Sequence, residues 1–199
     1  GVLAARLSES GRHRVLCLEA GSATERYPWT RPPGGTAFMI ENPKVNWRRF
    51  STPNETTANR SIYVPGGKMI GGTSALNGMI FNRGQRMDYE RWAQDGCPGW
   101  SYEEVLPYFK KLERTDIGSD RYRGRSGPIK VTVAAKTTPF FDLFIDAARN
   151  AGYPLNPDYA GDTQYGVAMA QQTIDRGIRQ STATEYLAPA RRRPNLTIR

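Results

Sequence analysis

Gly66-Gly67-Lys68-Met69-Ile70-Gly71-Gly72-Thr73-Ser74-Ala75-Leu76-Asn77-Gly78 places five glycines in thirteen positions, with small residues between them and one amide near the end. Glycines at this density let a backbone adopt positive φ and come close to a large flat ligand. Amide N–H groups freed in such a loop can turn toward phosphate or carbonyl oxygens. A glycine-rich surface turn would look the same in isolation. The pattern continues, however. Phe81 lies four residues after Asn77, Gly84 three after that and Glu90 six further on.

The start of the chain points the same way. Val2, Leu3 and Leu7 share one helical face, and Gly11 is a plausible helix stop. A strand is expected from Val15 to Glu19. A helix leading into a strand is the far half of a dinucleotide-binding βαβ unit, whose Gly-x-Gly-x-x-Gly turn cradles the pyrophosphate at the helix N-terminus. Only Gly1 is left as a candidate glycine of that turn, so the chain is expected to be an internal piece of a longer protein. Glu19 ends the strand ~20 residues beyond the expected turn, the usual place for an acid that binds ribose hydroxyls. A solvated strand-end carboxylate fits Glu19 equally well when it is taken alone.

The residues Gly67 to Glu90 resemble the first signature of the glucose–methanol–choline (GMC) oxidoreductases, FAD enzymes that oxidise alcohols. Val15-Leu16-Cys17-Leu18-Glu19-Ala20-Gly21 is similar to the second strand of their FAD domain. Arg179-Gln180-Ser181-Thr182-Ala183, with Tyr186-Leu187 and Arg193-Pro194-Asn195-Leu196, resembles a later region of the same family. The matches stand in family order and cover nearly the whole chain. The resemblance implies an α/β fold: a partial FAD-binding, Rossmann-like domain interleaved with part of an α+β substrate-binding domain. Residues 1–130 are expected to belong to the first, with an irregular excursion over 22–65 and the glycine loop at 66–78. Residues 131–199 are expected to begin the second.

Composition bounds the alternatives. The 199 residues are 38% hydrophobic, enough for a core, and no stretch approaches the ~18 consecutive apolar residues of a membrane span. The net charge of +9 invites a nucleic-acid reading. Residues 1–99 carry 13 basic and 8 acidic side chains and residues 100–199 carry 15 and 11, so the excess is spread evenly. A spread excess reads as a solvated basic surface, and nucleic acid is not expected as a partner. An anionic membrane surface stays open as one. His13 is the one histidine and Cys17 and Cys97 are far apart, so no metal site is expected. Cys17 is expected to be a buried small hydrophobe.

Between the ends, prolines and glycines such as Pro28, Pro32, Pro33, Gly34, Gly35, Pro43 and Pro53 make 22–65 irregular, with Trp47 expected as a packing residue. Arg83, Arg86, Asp88, Glu90 and Arg91 read as a charged surface face. Ser101-Tyr102-Glu103-Glu104 is a capping box opening a helix that buries Val105, Leu106, Phe109 and Leu112, with Pro107 expected to kink or shorten it. Ile129, Val131 and Val133 alternate as a half-buried strand, and Val167, Met169 and Gln171 suggest another. Thr138-Pro139 opens a helix whose stripe of Phe140, Phe141, Phe144, Ile145 and Ala148 is expected in the core, with Gly152 as its stop. Leu196 and Ile198 are expected on one face of a last strand.

No catalytic set is visible in these residues, and His13 reads as a solvated turn residue. The resemblance implies that an alcohol loses its hydroxyl proton to a base beyond Arg199 while hydride passes from its carbon to flavin N5, giving an aldehyde or ketone. It places the cofactor contacts at Glu19, Ala20 and Gly21 on the adenosine side, and at Met69, Gly71, Gly72, Thr73, Asn77, Gly78, Met79 and Ile80 on the flavin side. Some relatives attach FAD through a histidine immediately before the matching Asn; Leu76 stands there, which implies non-covalent FAD. Arg83-Gly84-Gln85 and Arg193 to Arg199 look like the bacterial choline and alcohol dehydrogenases, which implies a primary alcohol substrate, choline-like or aliphatic. Arg123 departs from the histidine usual between Tyr122 and Gly124. The acceptor, quinone-type or oxygen, is left open, and the expected location is cytoplasmic or peripheral at the inner membrane. This stretch alone is expected to lack turnover and to hold FAD weakly. A flavin-binding remnant without turnover and a nicotinamide-binding Rossmann enzyme are the competing readings; the second leaves residues 66–78 without a role.

Overall fold

The computed structural model describes residues 1–199, apart from the side chain of Glu25. In chain order the first elements are α1 (Val2–Leu7), β1 (Val15–Cys17), α2 (Thr36–Met39), β2 (Arg49–Phe50) and β3 (Tyr63–Val64). Then come α3 (Arg86–Gln94), α4 (Tyr102–Leu112), β4 (Glu113–Arg114), β5 (Ile129–Lys130), β6 (Thr132–Val133) and α5 (Phe140–Asn150). The last are β7 (Gln171–Gln172), β8 (Ile174–Asp175), β9 (Ile178–Arg179), α6 (Ala188–Ala190) and β10 (Leu196–Ile198). Helices and short strands are mixed throughout, as the α/β expectation requires. Among the described residues, no helix is long and apolar enough to cross a membrane.

The chain forms two compact units, one of residues 1–79 with 174–199 and one of residues 80–173. These limits differ from the boundary expected near residue 130. The reason is the strand pairing: β5 pairs in parallel with β4, and β6 pairs antiparallel with β7, so the chain stays in one unit on both sides of residue 130.

In the first unit, β1 and β10 run parallel with Val15 opposite Leu196 and Cys17 opposite Ile198. The ladder continues beyond β1, where Glu19 N–H donates to the Arg199 carbonyl at 2.8 Å. α1 forms where expected; it buries Ala4 and Ala5, and its C-cap Ser8 is buried too, while Leu3, of the apolar face, is 75% exposed. Small residues face the segment Ala183–Leu187, a π-helical turn, because close helix approach leaves no room for leucine there. Cys17 is half-buried rather than buried. The excursion over 22–65 is mostly short turns of 3₁₀ helix, α2 and the β2–β3 hairpin. Its buried polar centre is Asn46, which accepts from Arg48 N–H at 3.0 Å and Gly66 N–H at 2.9 Å and donates to the Tyr63 hydroxyl at 2.9 Å. Trp47 is exposed instead of packed, beneath the cations of Lys68 and Arg49. The apolar core here is Met39, Val45, Met69, Ala75 and Leu76.

In the second unit, α4 starts as the capping box predicts. The Glu104 carboxylate accepts from Ser101 N–H at 3.1 Å and from Ser101 Oγ at 2.6 Å. Those bonds hold its carboxyl below the ordinary value. Pro107 does not end the helix, which runs on to Leu112. Pro107 and Glu103 both lie on the exposed side, so water can take up the Glu103 carbonyl that the proline leaves free. α5 forms with Gly152 just past its end, at φ +91°. Its aromatic stripe is not core: Phe140 is 67% and Phe144 57% exposed, and no residue of the helix is buried. Periodicity shows that a helix has an apolar face; it does not show what covers that face.

The second unit is centred on charge as well as on its apolar cluster of Tyr89, Tyr102, Leu106 and Tyr122. Glu113 is fully buried and accepts from Arg83 Nη2 at 2.8 Å, Arg123 Nε at 2.9 Å, Arg123 Nη2 at 3.1 Å and Gly124 N–H at 2.7 Å. Arg123 also pairs with Asp158 and donates to Gln171 Oε1 at 2.8 Å. Arg83, expected on a charged surface, is therefore buried, as are Arg123 and Gln171. Two guanidinium groups here face two carboxylates, so the buried charges balance. Glu113→Gln removes one carboxylate and leaves both guanidinium groups short of a partner. Chemical denaturation is expected to show a stability loss of about 3–5 kcal/mol; a loss under about 1 kcal/mol would show that the network is not a stabilising centre.

Candidate functional site

The glycine loop at 66–78 is held from three sides within the first unit. At its start, Ser22 and Met69 form a parallel bridge, and Ile70 N–H donates to the Ser22 carbonyl at 3.1 Å. Gly21 makes this approach possible: a Cβ on it would lie 1.9 Å from the Lys68 carbonyl oxygen. In its middle, Gly71 takes φ +95°, and a Cβ there would meet the Ala183 methyl at 2.9 Å. Ser74 Oγ donates to the Gly71 carbonyl at 2.6 Å and accepts from Thr182 N–H at 3.0 Å, which ties the loop to the turn before the π-helical segment. From beneath, Ala75 and Leu76 anchor the short 3₁₀ turn Gly72–Ala75 in the core.

The far end of the loop rests on Arg179. Its Nη1 donates to the Asn77 carbonyl at 2.6 Å and to Asn77 Oδ1 at 2.9 Å. Its Nη2 donates to Thr36 Oγ1 at 2.6 Å, and Thr36 Oγ1 donates on to the Asn77 carbonyl at 3.0 Å. Arg179 is 1% exposed and its Nε has no partner. Among the described residues no carboxylate pairs with it. Burial pushes its guanidinium down from the ordinary arginine value, yet an arginine keeps its proton, so a positive charge sits beneath the loop. Asn77 Oδ1 also accepts from Met79 N–H at 3.1 Å, and Met79 takes a left-handed φ of +61°. A non-glycine residue in that region stores strain that the surrounding bonds must hold.

The structure brings together two groups of expected site residues. Glu19, Ala20 and Gly21 stand at the carboxyl end of the parallel β1–β10 pair, the end where α/β sheets bind ligands. The Ser22–Met69 bridge sets the loop of Gly71, Gly72, Thr73, Asn77 and Gly78 beside them. Glu19 Oε1 accepts from Gly21 N–H at 2.9 Å. Gly72 and Gly78 face open space, with nothing within 4 Å of where a Cβ would be. Met69 and Met79 are buried as whole residues, Met69 within the apolar core, so the structure does not set either on the open face of the loop. Ile80 falls in the second unit, where it bridges Gln172, and is described with that unit. His13 is exposed in its turn, as expected. Among the described residues no cluster of His, Cys, Asp and Glu could hold a metal ion. Sequence reading passed over Arg179 and Thr36. An arginine between a strand and a run of hydroxyl residues carries no local sign that it reaches a loop a hundred residues away.

Residues 15–199 match the family described as GMC oxidoreductase. The chain belongs to the GMC oxidoreductase family. It is 41% identical over 196 residues to the oxygen-dependent choline dehydrogenase of Sinorhizobium fredii, covering 98% of this chain and 36% of that protein. The corresponding protein of Photobacterium profundum is 40% identical over 200 residues, covering 100% of this chain and 35% of the relative. This GMC chain thus spans about a third of the length of these relatives. Among solved structures it superposes on pyridoxine 4-oxidase from Mesorbium loti with a TM-score of 0.90 at 31% identity, over 99% of this chain and 39% of the other. An FAD-dependent oxidoreductase from Chaetomium thermophilum gives 0.86 at 29% identity, over 99% and 36%. The GMC fold expected from the sequence is the fold of this chain.

The contact at Gly21 gives a test of how the loop is held. Gly21→Ala is expected to break the Ser22–Met69 bridge, because backbone cannot move aside as a side chain tip can. Thermal unfolding should show a marked loss and limited proteolysis should cut within 66–78. Gly34→Ala, where a Cβ meets nothing within 4 Å, is the control and is expected to leave both readouts unchanged. Equal behaviour of the two variants would mean that the loop does not depend on this contact.

Proposed function

We propose that this GMC chain is part of an FAD-dependent oxidoreductase that oxidises a primary alcohol to an aldehyde, with choline as the first substrate to try. The observation that carries the reading is the family match across residues 15–199 together with a glycine loop set beside a strand-end carboxylate. The residues fit the cofactor. Two open-faced glycines, Gly72 and Gly78, leave room for a flat ring, and exposed Asn77 offers an amide beside them. When bound, FAD supplies the acceptor for the hydride that leaves the alcohol carbon.

The chain's own residues bind and orient. Glu19 has one oxygen turned to Gly21 N–H, and its other oxygen is the candidate for ribose hydroxyls. Ala20 and Gly21 line the adenosine end by backbone. Gly71, Gly72, Thr73, Asn77 and Gly78 form the close-approach surface for the flavin ring, with buried Met69 and Met79 supporting it from behind. Leu76 is buried and has no group that could bond the flavin covalently, so attachment at this position is non-covalent. None of these 199 residues is assigned as the acceptor of the hydroxyl proton, and His13 is not a candidate. In the same reading, the first unit holds the cofactor and the second belongs to the substrate side. The substrate and the acceptor, molecular oxygen, rest on the names of relatives about 40% identical over this stretch.

The test uses the protein purified with its natural flanking sequence. It is expected to be yellow, to release its FAD into the supernatant on acid precipitation, and to be bleached by choline in the absence of air. Readmitted oxygen should restore the colour. A folded but colourless protein would overturn the reading. Flavin that stays with the precipitate would overturn non-covalent binding alone, and a yellow protein that no alcohol bleaches would support a flavin-binding remnant.

A further inference from the structure

We infer that Arg179 is a positioning residue that fixes the amide of Asn77 in one orientation, with its NH₂ group presented as a donor to the cofactor. The inference rests on the FAD reading above and goes beyond it, because it assigns a role to a residue that does not itself face the loop surface. An asparagine amide can turn over, and its two ends offer opposite chemistry to a ligand. Here the end is chosen. Asn77 Oδ1 receives two donors, Arg179 Nη1 at 2.9 Å and Met79 N–H at 3.1 Å, so the oxygen is held inward. The Nδ2 end is left for an acceptor atom, on a residue that is exposed.

The same guanidinium fixes the Asn77 carbonyl at 2.6 Å and the Thr36 hydroxyl at 2.6 Å. All of these partners are neutral oxygens. A buried positive charge without a carboxylate is an expensive arrangement, and apolar packing alone gives no reason for it. In the second unit the buried arginines Arg83 and Arg123 share Glu113. Among the described residues Arg179 has no such partner, and an acid beneath the loop would compete with Asn77 for its donors. The planar fork also matters: a lysine supplies one point of charge and cannot span two Asn77 oxygens and Thr36 together.

Two variants of the flavin-loaded, full-length protein separate positioning from support of the fold. Asn77→Asp gives the buried guanidinium a carboxylate, so the apoprotein is expected to unfold at the same temperature or higher. It removes the outward donor, so FAD should bind about tenfold more weakly. Arg179→Lys keeps the charge but loses the fork. At saturating FAD its visible circular dichroism, which reports the flavin's hydrogen-bonding surroundings, should differ from that of the wild type and resemble that of Asn77→Asp. A residue that only supports the fold would leave the spectrum of bound flavin unchanged. Wild-type affinity in Asn77→Asp, or a wild-type flavin spectrum in Arg179→Lys, would overturn the inference while the FAD reading stands. A wild-type protein that binds no FAD would overturn both. If Arg179→Lys does not fold, the split in Asn77→Asp between retained stability and lost affinity still decides.

Discussion

The Lys68 carbonyl lies so close to Gly21 that no side chain fits between them, and the geometry of the candidate site follows from that one contact. It joins residues far apart in sequence, backbone to backbone, through the Ser22–Met69 bridge. A side-chain contact could have formed in several ways, since rotamers adjust. Two backbones at this distance have one arrangement. The bridge therefore sets the glycine loop in register with the carboxyl end of β1, and Glu19 acquires a neighbour that a strand-end carboxylate does not otherwise have. From there the loop runs over Gly71, which Ala183 would not admit as any other residue, to Asn77, where Arg179 takes hold.

The two units handle buried charge in opposite ways, and the difference separates support from function. Around Glu113 the two guanidinium groups meet the carboxylates of Glu113 and Asp158, and the network joins Arg83, β4, the turn at 122–124, Asp158 and β7. Arg123, at the position where the resemblance in the sequence led to an expected histidine, is used there as a structural cation. A neutral imidazole could not supply these four bonds to two carboxylates and an amide. Arg179 is the contrasting case. Its charge is met by a loop carbonyl, a loop amide and a hydroxyl, and two of those three groups belong to Asn77, the last residue but one of the glycine run. An imbalance left standing at a cofactor loop is the kind of local inconsistency that functional sites carry.

Much of the fold was legible because local rules decide it. Ser101 and Glu104 define a helix start by two hydrogen bonds within four residues, and the α4 start follows. Alternation of Leu196 with Ile198, and the apolar run Val15-Leu16-Cys17, gave strands in the right places. What was not legible is the identity of partners across long separations. The residues of α1 that turned inward are Ala4 and Ala5, because the facing turn demands small side chains, and hydropathy favours the leucines. The same blindness placed the Phe140–Phe144 stripe in a core and Arg83 on a surface, when the first is exposed and the second is buried against Glu113. Periodicity fixes which residues share a face. It does not say what that face meets.

The candidate site shows the same division. Glycine density and a strand-end acid are features of composition and position, so residues 66–78 and Glu19 stood out before any coordinate was known. Arg179 did not, although it lies within a segment that resembles the family. Its importance comes from three hydrogen bonds to residues 102 and 143 positions away, and from the lack of a carboxylate beside it among the described residues. No window of sequence contains either fact. Asn77 is the one side-chain amide of the loop, and an amide is informative to a ligand only if one end is held. A glycine-rich loop gains closeness to its ligand by giving up side chains, so the side chain that remains must be oriented from outside the loop. That requirement connects the conspicuous residue, Asn77, to the inconspicuous one beneath it.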